Sequence, residues 1–332
     1  MKTHIIPILA ASALLSGSLA YGEAGAGAAA KSSVAKFTYP TVSEKPSPAE
    51  LISIPGPAGN QIPAVVRTPP GGGPFPAIVL LHGGLKPQSV EALTKDALSR
   101  PTHARFLAAG YVTITPTFRS REENPQTRAA LEDCLAVIEH VKKMRAVDPR
   151  SVVVLGGSGG GSLALELAGE TELCAVAAGE PATVLFTGMM TGGGEQSAAL
   201  QEMMDEPKRF YTPKLQEFTR GKIARIGCPI FIGHGDRHAI NKINHEIVIP
   251  ELKTAGKALE VIAYPNQPHG FYFGGAGDPA AAEKFFDDAN TFFQRHLLTQ
   301  PTPVPESMIH RLPVSERVKR GGAGKKRPVA KE

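Results

Sequence analysis

Residues 151–168 read SVVVLGGSGGGSLALELA and contain three structural signals in direct succession. The apolar run VVVL is rich in β-branched valine, which is typical of a strand that is buried on both faces. A glycine turn follows from Gly156 to Gly160 with Ser158 at its centre, and SLALELA then has the apolar spacing of a helix. A strand, a tight turn and a helix in this order predict a serine held at a sharp bend above the end of a buried strand.

The turn fits the pattern G-x-S-x-G, in which glycines two residues before and after the serine relieve backbone clashes. The helix that follows directs its first amide N–H groups towards any negative charge that forms near Ser158. A glycine loop that cradles phosphate is the alternative, but no Lys-Ser or Lys-Thr pair follows this one. The pattern therefore predicts Ser158 as a catalytic nucleophile.

Outward from this turn, short apolar runs alternate with helical segments from residue 50 to residue 298. Helices are predicted over residues 90–109, 125–144 and 279–298, and the last of these carries four phenylalanines for the core. The predicted strands are ELISIP, AVVRTP, PFPAIVLLHGG, YVTITPTF, SVVVL, ELCAVAAGEP, PIFIGHGD and ALEVIAYP. This alternation predicts an α/β fold with a mostly parallel central sheet flanked by helices.

Residues 181–225 interrupt the alternation with the glycine-rich loop TGMMTGGGEQ and the short helical pieces AALQEMMDE and PKLQEFTR. An insertion at the carboxyl edge of a parallel sheet is expected to lie over the active site as a small cap. Its methionines either line an apolar acyl pocket or pack as ordinary core residues. They are Met189, Met190, Met203 and Met204.

Two further motifs follow strands at positions suited to acyl transfer. The stretch HGG at residues 82–84 closes the strand AIVLL, so the N–H of Gly84 is expected to face the same point as the N–H of Gly159. Two such donors form an oxyanion hole, each typically worth about 10²–10³ in rate, while a plain strand-ending turn is the alternative. His269 follows the last strand in PHGF, where a general base could approach Ser158.

With these motifs assembled, the chain from about residue 50 to residue 298 resembles the α/β-hydrolase fold. Within that fold it is similar to the dienelactone hydrolase and prolyl oligopeptidase catalytic-domain group. The stretches that carry the resemblance are GPFPAIVLLHGG, VDPRSVVVLGGSGGG, CPIFIGHGD and YPNQPHGF. The resemblance implies that Ser158 is the nucleophile, His269 the base, and Gly84 and Gly159 the oxyanion-hole amides, in a reaction that needs no cofactor.

The carboxylate that should orient the base is missing from its usual place. Relatives have H-G-x-x-D after this strand, and the matching position here is His238. Histidine cannot replace a carboxylate that orients the base and stabilises its imidazolium. Asp236, two residues earlier, is the first candidate for the acid. Glu180, at the end of the preceding strand, is the second, and a site without an acid is the third alternative.

The remaining reactive side chains do not predict a metal site. His234, His238 and His245 are close in sequence, but no carboxylate or cysteine cluster completes a zinc-type set. The three cysteines are widely spaced and odd in number, which favours buried thiols over a disulfide framework.

The N-terminal residues predict export. Residues 1–20 carry Lys2, an apolar run and a small-x-small end, as in a signal peptide. The run is too short and interrupted for a transmembrane segment. Residues 21–49 are predicted to be a flexible linker, and the mature protein is expected to be secreted or periplasmic.

Residues 299–332 are predicted to form a basic, Pro/Gly-rich disordered tail. From residue 310 onward it contains eight Lys or Arg and two Glu, so its net charge is +6 (8 − 2). This is larger than the net charge of +5 for the whole chain. The rest of the chain is therefore close to neutral, and no specific nucleic-acid partner is predicted. The tail is expected to be solvated or to make a weak contact with an anionic surface.

Three functional hypotheses arise from these residues. The first is an exported serine hydrolase that cleaves a small carboxylic ester through a Ser158 acyl-enzyme. The second is a peptidase of the prolyl oligopeptidase type, although the roughly fifty residues before the first strand are too few for the propeller domain of those peptidases. The third is a noncatalytic binding protein on a hydrolase scaffold, which His238 in place of the acid would favour.

Overall fold

The structure is a computed structural model that describes residues 49–190 and 198–304. The predicted signal peptide, nearly all of the predicted linker and most of the basic tail lie outside the described residues. The strands are β1 (Glu50–Pro55), β2 (Gln61–Arg67), β3 (Phe75–Leu81), β4 (Val112–Pro116), β5 (Val147–Gly157), β6 (Ala175–Gly179), β7 (Ile230–His234) and β8 (Leu259–Ala263).

These strands form one sheet in the order β1-β2-β4-β3-β5-β6-β7-β8. The pairs β1–β2 and β2–β4 are antiparallel, whereas β3 to β8 pair in parallel with their neighbours. The predicted mostly parallel sheet is therefore confirmed. Because the parallel strands all end at the same edge, the residues after β3, β5, β6, β7 and β8 meet there.

Helices connect the strands and cover both faces of the sheet. They are α1 (Val90–Ser99), α2 (Pro101–Ala108), α3 (Ala129–Val141), α4 (Gly159–Leu167), α5 (Thr183–Phe186), α6 (Ala198–Asp205), α7 (Pro207–Phe210), α8 (Pro213–Arg225), α9 (Ile240–Ile243), α10 (Ile249–Thr254) and α11 (Pro279–His296). A π-helix (Asn244–Val248) joins α9 to α10, and a 3-10 turn lies at Phe271–Phe273. Among the described residues, no helix has the length and apolarity needed to cross a membrane.

The prediction of one helix over residues 90–109 is wrong, because the helix is interrupted at Arg100. This residue has φ −70° and ψ 127°, an extended conformation, and Pro101 then starts α2. The proline ring disfavours a helical conformation of the residue before it, so the chain must turn at Arg100. Pro101 itself suits the first position of a helix, where its missing N–H would have no partner.

Each central strand contributes alternate residues to two cores on opposite sides of the sheet. In β3, Ala77, Val79 and Leu81 pack in one core, and Ile78 and Leu80 pack in the other. This is the period of two that a strand covered on both faces requires. The first core contains the apolar face of α3, and the second contains the phenylalanines of α11, namely Phe285, Phe286, Phe292 and Phe293.

The segment between β6 and β7 contains α5 to α8. The predicted helical pieces AALQEMMDE and PKLQEFTR are confirmed as α6 and α8. Residues 191–197, which form part of the predicted glycine-rich loop, lie outside the described residues.

The helical run from α9 through the π-helix to α10 was not among the predicted elements. Its apolar residues Ile243, Ile247 and Leu252 are buried in the core, although their spacing is not that of one regular α-helix. A π-helix widens the turn by one residue, which shifts the positions that face the core and hides the 3.6-residue period from the sequence.

The three cysteines are free, as expected from their number and spacing, and Cys134 and Cys228 are buried. Burial raises the pKa of Cys134 and raises that of Cys228 to about 12. Both thiols are therefore protonated and unreactive at neutral pH.

A substitution at Phe285 tests the assignment of the aromatic core. Its side chain is fully buried against the rings of Phe231, Tyr264 and Phe271. Replacement by alanine leaves a cavity, so we expect Phe285→Ala to lower the free energy of unfolding by about 3–5 kcal/mol. Denaturant unfolding followed by circular dichroism measures this loss. Phe218→Ala is the matched control, because Phe218 is 44% exposed and should cost about 1 kcal/mol or less; equal losses would contradict the assigned core.

Candidate active site

Ser158 lies at the turn between β5 and α4 in a strained backbone conformation. Its φ is 52° and its ψ is −118°, a region that side chains rarely adopt. The Ser158 N–H donates to the carbonyl of Gly179 at 2.9 Å, and its own carbonyl accepts from the N–H of Ala182 at 2.8 Å. These bonds to the end of β6 hold the bend in place and leave the side chain above the sheet.

The glycines of the turn permit an unusually close backbone contact. A Cβ on Gly156 would lie 2.1 Å from the carbonyl oxygen of Gly160, and a Cβ on Gly160 would lie 2.4 Å from that of His82. Neither distance is possible for a real side chain, so both positions require glycine. The G-x-S-x-G pattern is explained by these two contacts.

The two residues predicted to supply the oxyanion-hole amides are neighbours. A Cβ on Gly159 would lie 2.4 Å from the carbonyl oxygen of Gly84, and Gly84 has a φ of +81° that favours glycine. The loop after β3 and the start of α4 are therefore in direct contact beside Ser158.

A cavity of about 380 Å³ opens at this turn, and both Ser158 and His269 line it. Much of its remaining wall comes from the segment between β6 and β7, including Leu185, Met190 and Met204. Of the four methionines considered, two line this cavity, Met189 is buried elsewhere in the core, and Met203 packs against the core. Most of the lining residues are apolar, and the polar side chains among them are those of Ser158, Gln201, His238 and His269.

Glu180, directly after β6, lies against His269. Its Oε2 is 3.0 Å from Nδ1 of the imidazole, a hydrogen-bonding distance, although the ring is not ideally aligned with the carboxylate. The N–H of Gly270 also donates to Oε2, at 3.0 Å. Glu180 is completely buried and has a φ of 43°, so its backbone, like that of Ser158, is held in a strained conformation.

The other oxygen of Glu180 accepts two further hydrogen bonds. The N–H of Gly235 and the side-chain amide of Asn241 each donate to Oε1 at 3.1 Å. Asn241 also donates to the carbonyl of Gly235 at 2.8 Å, which fixes the loop after β7. Asn241 was not singled out in the sequence, because a lone asparagine in a stretch with no predicted helix carries no signal.

These contacts determine the charge of Glu180. Burial raises its pKa, but the contact with His269, the amide of Asn241 and the N–H of Gly270 together lower the pKa below the ordinary value of 4.5. The carboxyl group is therefore ionised at neutral pH, and it faces the imidazole of His269 as a negative charge.

Asp236, the first candidate for the acid, is exposed to solvent in the loop after β7. The structure brings Glu180, the second candidate, to His269 in its place. The reason lies in the sheet, since β6 and β7 are adjacent parallel strands that end side by side. The turn at Gly235 directs its N–H towards Glu180 and leaves Asp236 outside.

His238, which occupies the position of the usual acid, stacks on the ring of His269. The ring centroids of His238 and His269 are 4.5 Å apart, and their planes differ by 28°. Nδ1 of His238 accepts the N–H of Ile240 at 3.2 Å. Burial lowers the pKa of His238 and the nearby His269 lowers it further, with Glu180 opposing both, so His238 is neutral at pH 7. It therefore packs as a neutral ring against His269.

The other two histidines considered for a metal contact each other instead. Nε2 of His245 is 3.4 Å from Nδ1 of His234, and their rings are edge to face. In residues 49–190 and 198–304, no three His, Cys, Asp or Glu side chains are grouped as metal ligands would be.

The strand order and the position of Ser158 after β5 are those of an α/β-hydrolase, and comparison with known proteins confirms this class. The model of the Dienelactone hydrolase family matches residues 62–297. The chain therefore belongs to the dienelactone hydrolase family, and the resemblance noted in the sequence is confirmed.

Two curated relatives match shorter stretches. An acylamino-acid-releasing enzyme from Arabidopsis thaliana is 26% identical over 214 residues, which cover 58% of this chain and 27% of that protein. The carboxylic ester hydrolase LipN from Mycobacterium tuberculosis is 38% identical over 116 residues, which cover 34% of this chain and 29% of that protein. The chain thus spans less than a third of the length of either relative.

Solved esterases share the fold. Thermogutta terrifontis esterase 2 phosphonylated by sarin has a TM-score of 0.57 at 19% identity, covering 76% of this chain and 97% of that one. A Pyrobaculum calidifontis esterase has a TM-score of 0.54 at 22% identity, covering 75% and 86%. At these identities the comparison establishes the fold, including the sheet that presents Ser158.

The lowered pKa of Glu180 predicts a pH-dependent contribution to stability. The folded protein stabilises the ionised form of Glu180 more than the unfolded chain does. This contribution to the free energy of unfolding is therefore complete above the ordinary pKa of 4.5, and it is lost as the pH falls through the folded-state pKa. Glu180→Gln lacks this carboxylate. We expect its free energy of unfolding to fall less than that of the wild type between about pH 6 and pH 3.

Urea unfolding at a series of pH values measures this difference. Asp236→Asn is the control, because it removes an exposed carboxylate and should retain the wild-type pH profile. Parallel profiles for the wild type and Glu180→Gln would contradict the stabilised carboxylate.

Proposed function

We propose that the protein is a serine hydrolase that cleaves small carboxylic esters through an acyl-enzyme on Ser158. One observation carries the proposal. Ser158, on its strained turn, lines the same cavity as His269, and Nδ1 of His269 lies 3.0 Å from a buried, ionised Glu180. A serine, a histidine and a carboxylate in this relation are the elements of a catalytic triad.

In the proposed reaction, Oγ of Ser158 attacks the ester carbonyl carbon while His269 takes the hydroxyl proton. Glu180 holds the imidazole by Nδ1 and stabilises the imidazolium that forms. The N–H groups of Gly84 and Gly159 stabilise the oxyanion of the tetrahedral intermediate. Collapse breaks the ester C–O bond, and His269 returns the proton to the leaving alcohol. Water then attacks the acyl-enzyme by the same route and releases the acid.

The cavity supports a small acyl group. About 380 Å³ is at the lower end of the range for ligand pockets, and its wall is mostly apolar. Among proteins of the same fold, the Thermogutta esterase has been solved with butyrate bound, at a TM-score of 0.57 and 21% identity. LipN, named a carboxylic ester hydrolase, is the relative with the higher identity. An ester with a short acyl chain is therefore the proposed substrate.

A peptidase is the second candidate, because the chain is 26% identical to an acylamino-acid-releasing enzyme over 214 residues. The two candidates share the serine and the histidine and differ in the leaving group. A p-nitrophenyl ester and a p-nitroanilide of the same short acyl group separate them directly, since the wall that receives the acyl chain is the same for both.

Labelling with a fluorophosphonate tests the nucleophile, because this reagent requires an activated serine and no knowledge of the substrate. We expect rapid formation of one adduct, located on Ser158 by peptide mapping, and none in Ser158→Ala. His269→Ala should slow labelling by a factor of roughly 10³ or more, since the base is lost. A folded wild-type protein that forms no adduct would favour the noncatalytic binding protein instead.

The same assay separates the two acid candidates. Glu180→Gln should reduce the labelling rate and ester turnover by roughly 10⁴, the cost of removing the acid from a triad. Asp236→Asn removes an exposed carboxylate that also follows a strand of the sheet, and this variant should react like the wild type. The reverse pattern would reassign the acid to Asp236.

Export is proposed on the sequence of residues 1–20. We expect the protein recovered from the periplasm or medium of a bacterial host to lack these residues, and intact mass spectrometry measures this. A variant with charged residues placed in the apolar run should remain in the cytoplasm at full length. Full-length wild-type protein confined to the cytoplasm would contradict export. Contact of the basic tail with an anionic surface stays a prediction.

A further inference from the structure

A second cavity, of about 590 Å³, lies between α3, α4, α5 and α8. It shares no lining residue with the cavity at Ser158, although α4 and α5 contribute to both. Its inner wall is apolar and buried, with Leu131, Leu165 and Phe186. Its mouth is on α8, where Phe218 is 44% exposed. The cavity is therefore larger than the catalytic one and reaches from the surface into the core.

The side chains around this cavity carry an excess of positive charge. Oε1 of Glu166 faces two cations, Arg121 at 3.4 Å and Lys222 at 3.1 Å. The carboxylate of Glu170 likewise faces two cations at 3.2 and 3.1 Å. The described lining residues include five cations against these two carboxylates, and the cations are Arg121, Arg128, Lys214, Lys222 and Arg225. Such an excess, partly removed from water, stabilises an anion.

Arg121 has one nitrogen without a hydrogen-bond partner among the described residues, and Lys222 lies against two aromatic rings. Arg121 is only 2% exposed, and its Nη1 has no hydrogen-bond partner among the described residues. The ammonium of Lys222 lies 4.6 Å from the ring centroid of Phe218 and 5.2 Å from that of Phe186. Burial lowers the pKa of Lys222, with Glu166 opposing the shift. A buried cation short of partners is destabilising, and an added anion would relieve it.

We propose that this second cavity binds a small organic carboxylate with an apolar body. The body would lie against Phe186 and Phe218, and the carboxylate would join the cations that already hold Glu166 and Glu170. The volume of about 590 Å³ accommodates a ring with a short chain. A neutral molecule of the same shape would leave the charge excess unmatched. The proposal concerns binding alone and does not depend on Ser158 being a nucleophile.

Gly221 offers a way to block the cavity without removing any contact. It lines the cavity on α8, and an added Cβ meets nothing within 4 Å. Residues 214, 218, 221, 222 and 225 share one face of this helix by their spacing, so a leucine at 221 extends into the cavity. Leucine also favours a helix over glycine, and Gly221→Leu should fold. Ala224→Leu is the matched control, on the exposed part of the same helix.

The test is isothermal titration of the full chain with 4-phenylbutyrate and with its neutral amide. We expect one site for the acid, and binding of the amide weaker by at least about tenfold. Gly221→Leu should weaken binding of the acid by a similar factor, whereas Ala224→Leu should not change it. Lys214→Glu, at an exposed position, should also weaken it because the charge excess falls. Gln201→Trp, which narrows the catalytic cavity from an exposed position, should have no effect.

Several results would overturn the proposal. Absence of binding up to millimolar acid, or equal binding of acid and amide, would remove the anion site. Loss of binding in Gln201→Trp with retention in Gly221→Leu would place the ligand in the catalytic cavity. If Gly221→Leu fails to unfold cooperatively, Lys214→Glu decides, and unchanged affinity in that variant would count against the site.

Discussion

The site depends on one backbone contact, the approach of the turn after β5 to the end of β3. The carbonyl of His82 occupies the space that any side chain at position 160 would fill. This contact places the serine turn beside the loop of Gly84, so that the loop after β3 and the start of α4 are in contact next to Ser158. The strained backbone at Ser158 is tolerated because two kinds of contact hold the turn in this conformation. They are the hydrogen bonds to the end of β6 and the packing of glycine against carbonyl groups.

The second constraint is the burial of Glu180. A carboxylate without access to water needs hydrogen-bond donors, and this one accepts from two backbone N–H groups and a side-chain amide and lies 3.0 Å from Nδ1 of His269. Three segments are joined by that requirement: the end of β6, the loop after β7 and the loop after β8. The orientation of His269 thus depends on the buried carboxylate of Glu180. The same carboxylate holds the loop after β7 and the loop after β8 in place.

Much of this arrangement could be predicted from the chain itself. The strand–turn–helix signal at Ser158 and the succession of strands and helices along the chain arise from local rules, namely apolar periodicity and glycine at tight turns, and these are visible in the sequence. The acid could not be decided in this way. Asp236 and Glu180 both come after a strand, and the choice between them depends on which way the chain turns at Gly235. His238 at the usual acid position indicates only that the carboxylate is either elsewhere or absent.

The features that were missed have different origins. The break at Arg100 is the result of a local rule that was available, the effect of Pro101 on the residue before it. The run from α9 to α10 and the role of Asn241 were not accessible, because a π-helix erases the period on which helix prediction relies. Asparagine side chains in that run reach Glu180 and the carbonyl of Pro181, contacts that exist only once β6 and β7 lie side by side.

The π-helix has a consequence for how the chain tolerates changes in length. It stores one residue more than an α-helix would use over the same rise, downstream of Asn241 and upstream of α10. Loss of a single residue within it would leave a continuous α-helix, and the residues beyond the deletion would keep the faces that they have now. Asn241, which precedes the π-helix, would keep its place against Glu180. The run is therefore expected to accept the loss of one residue without losing the packing of α10 in the core or the hydrogen bond from Asn241 to Glu180.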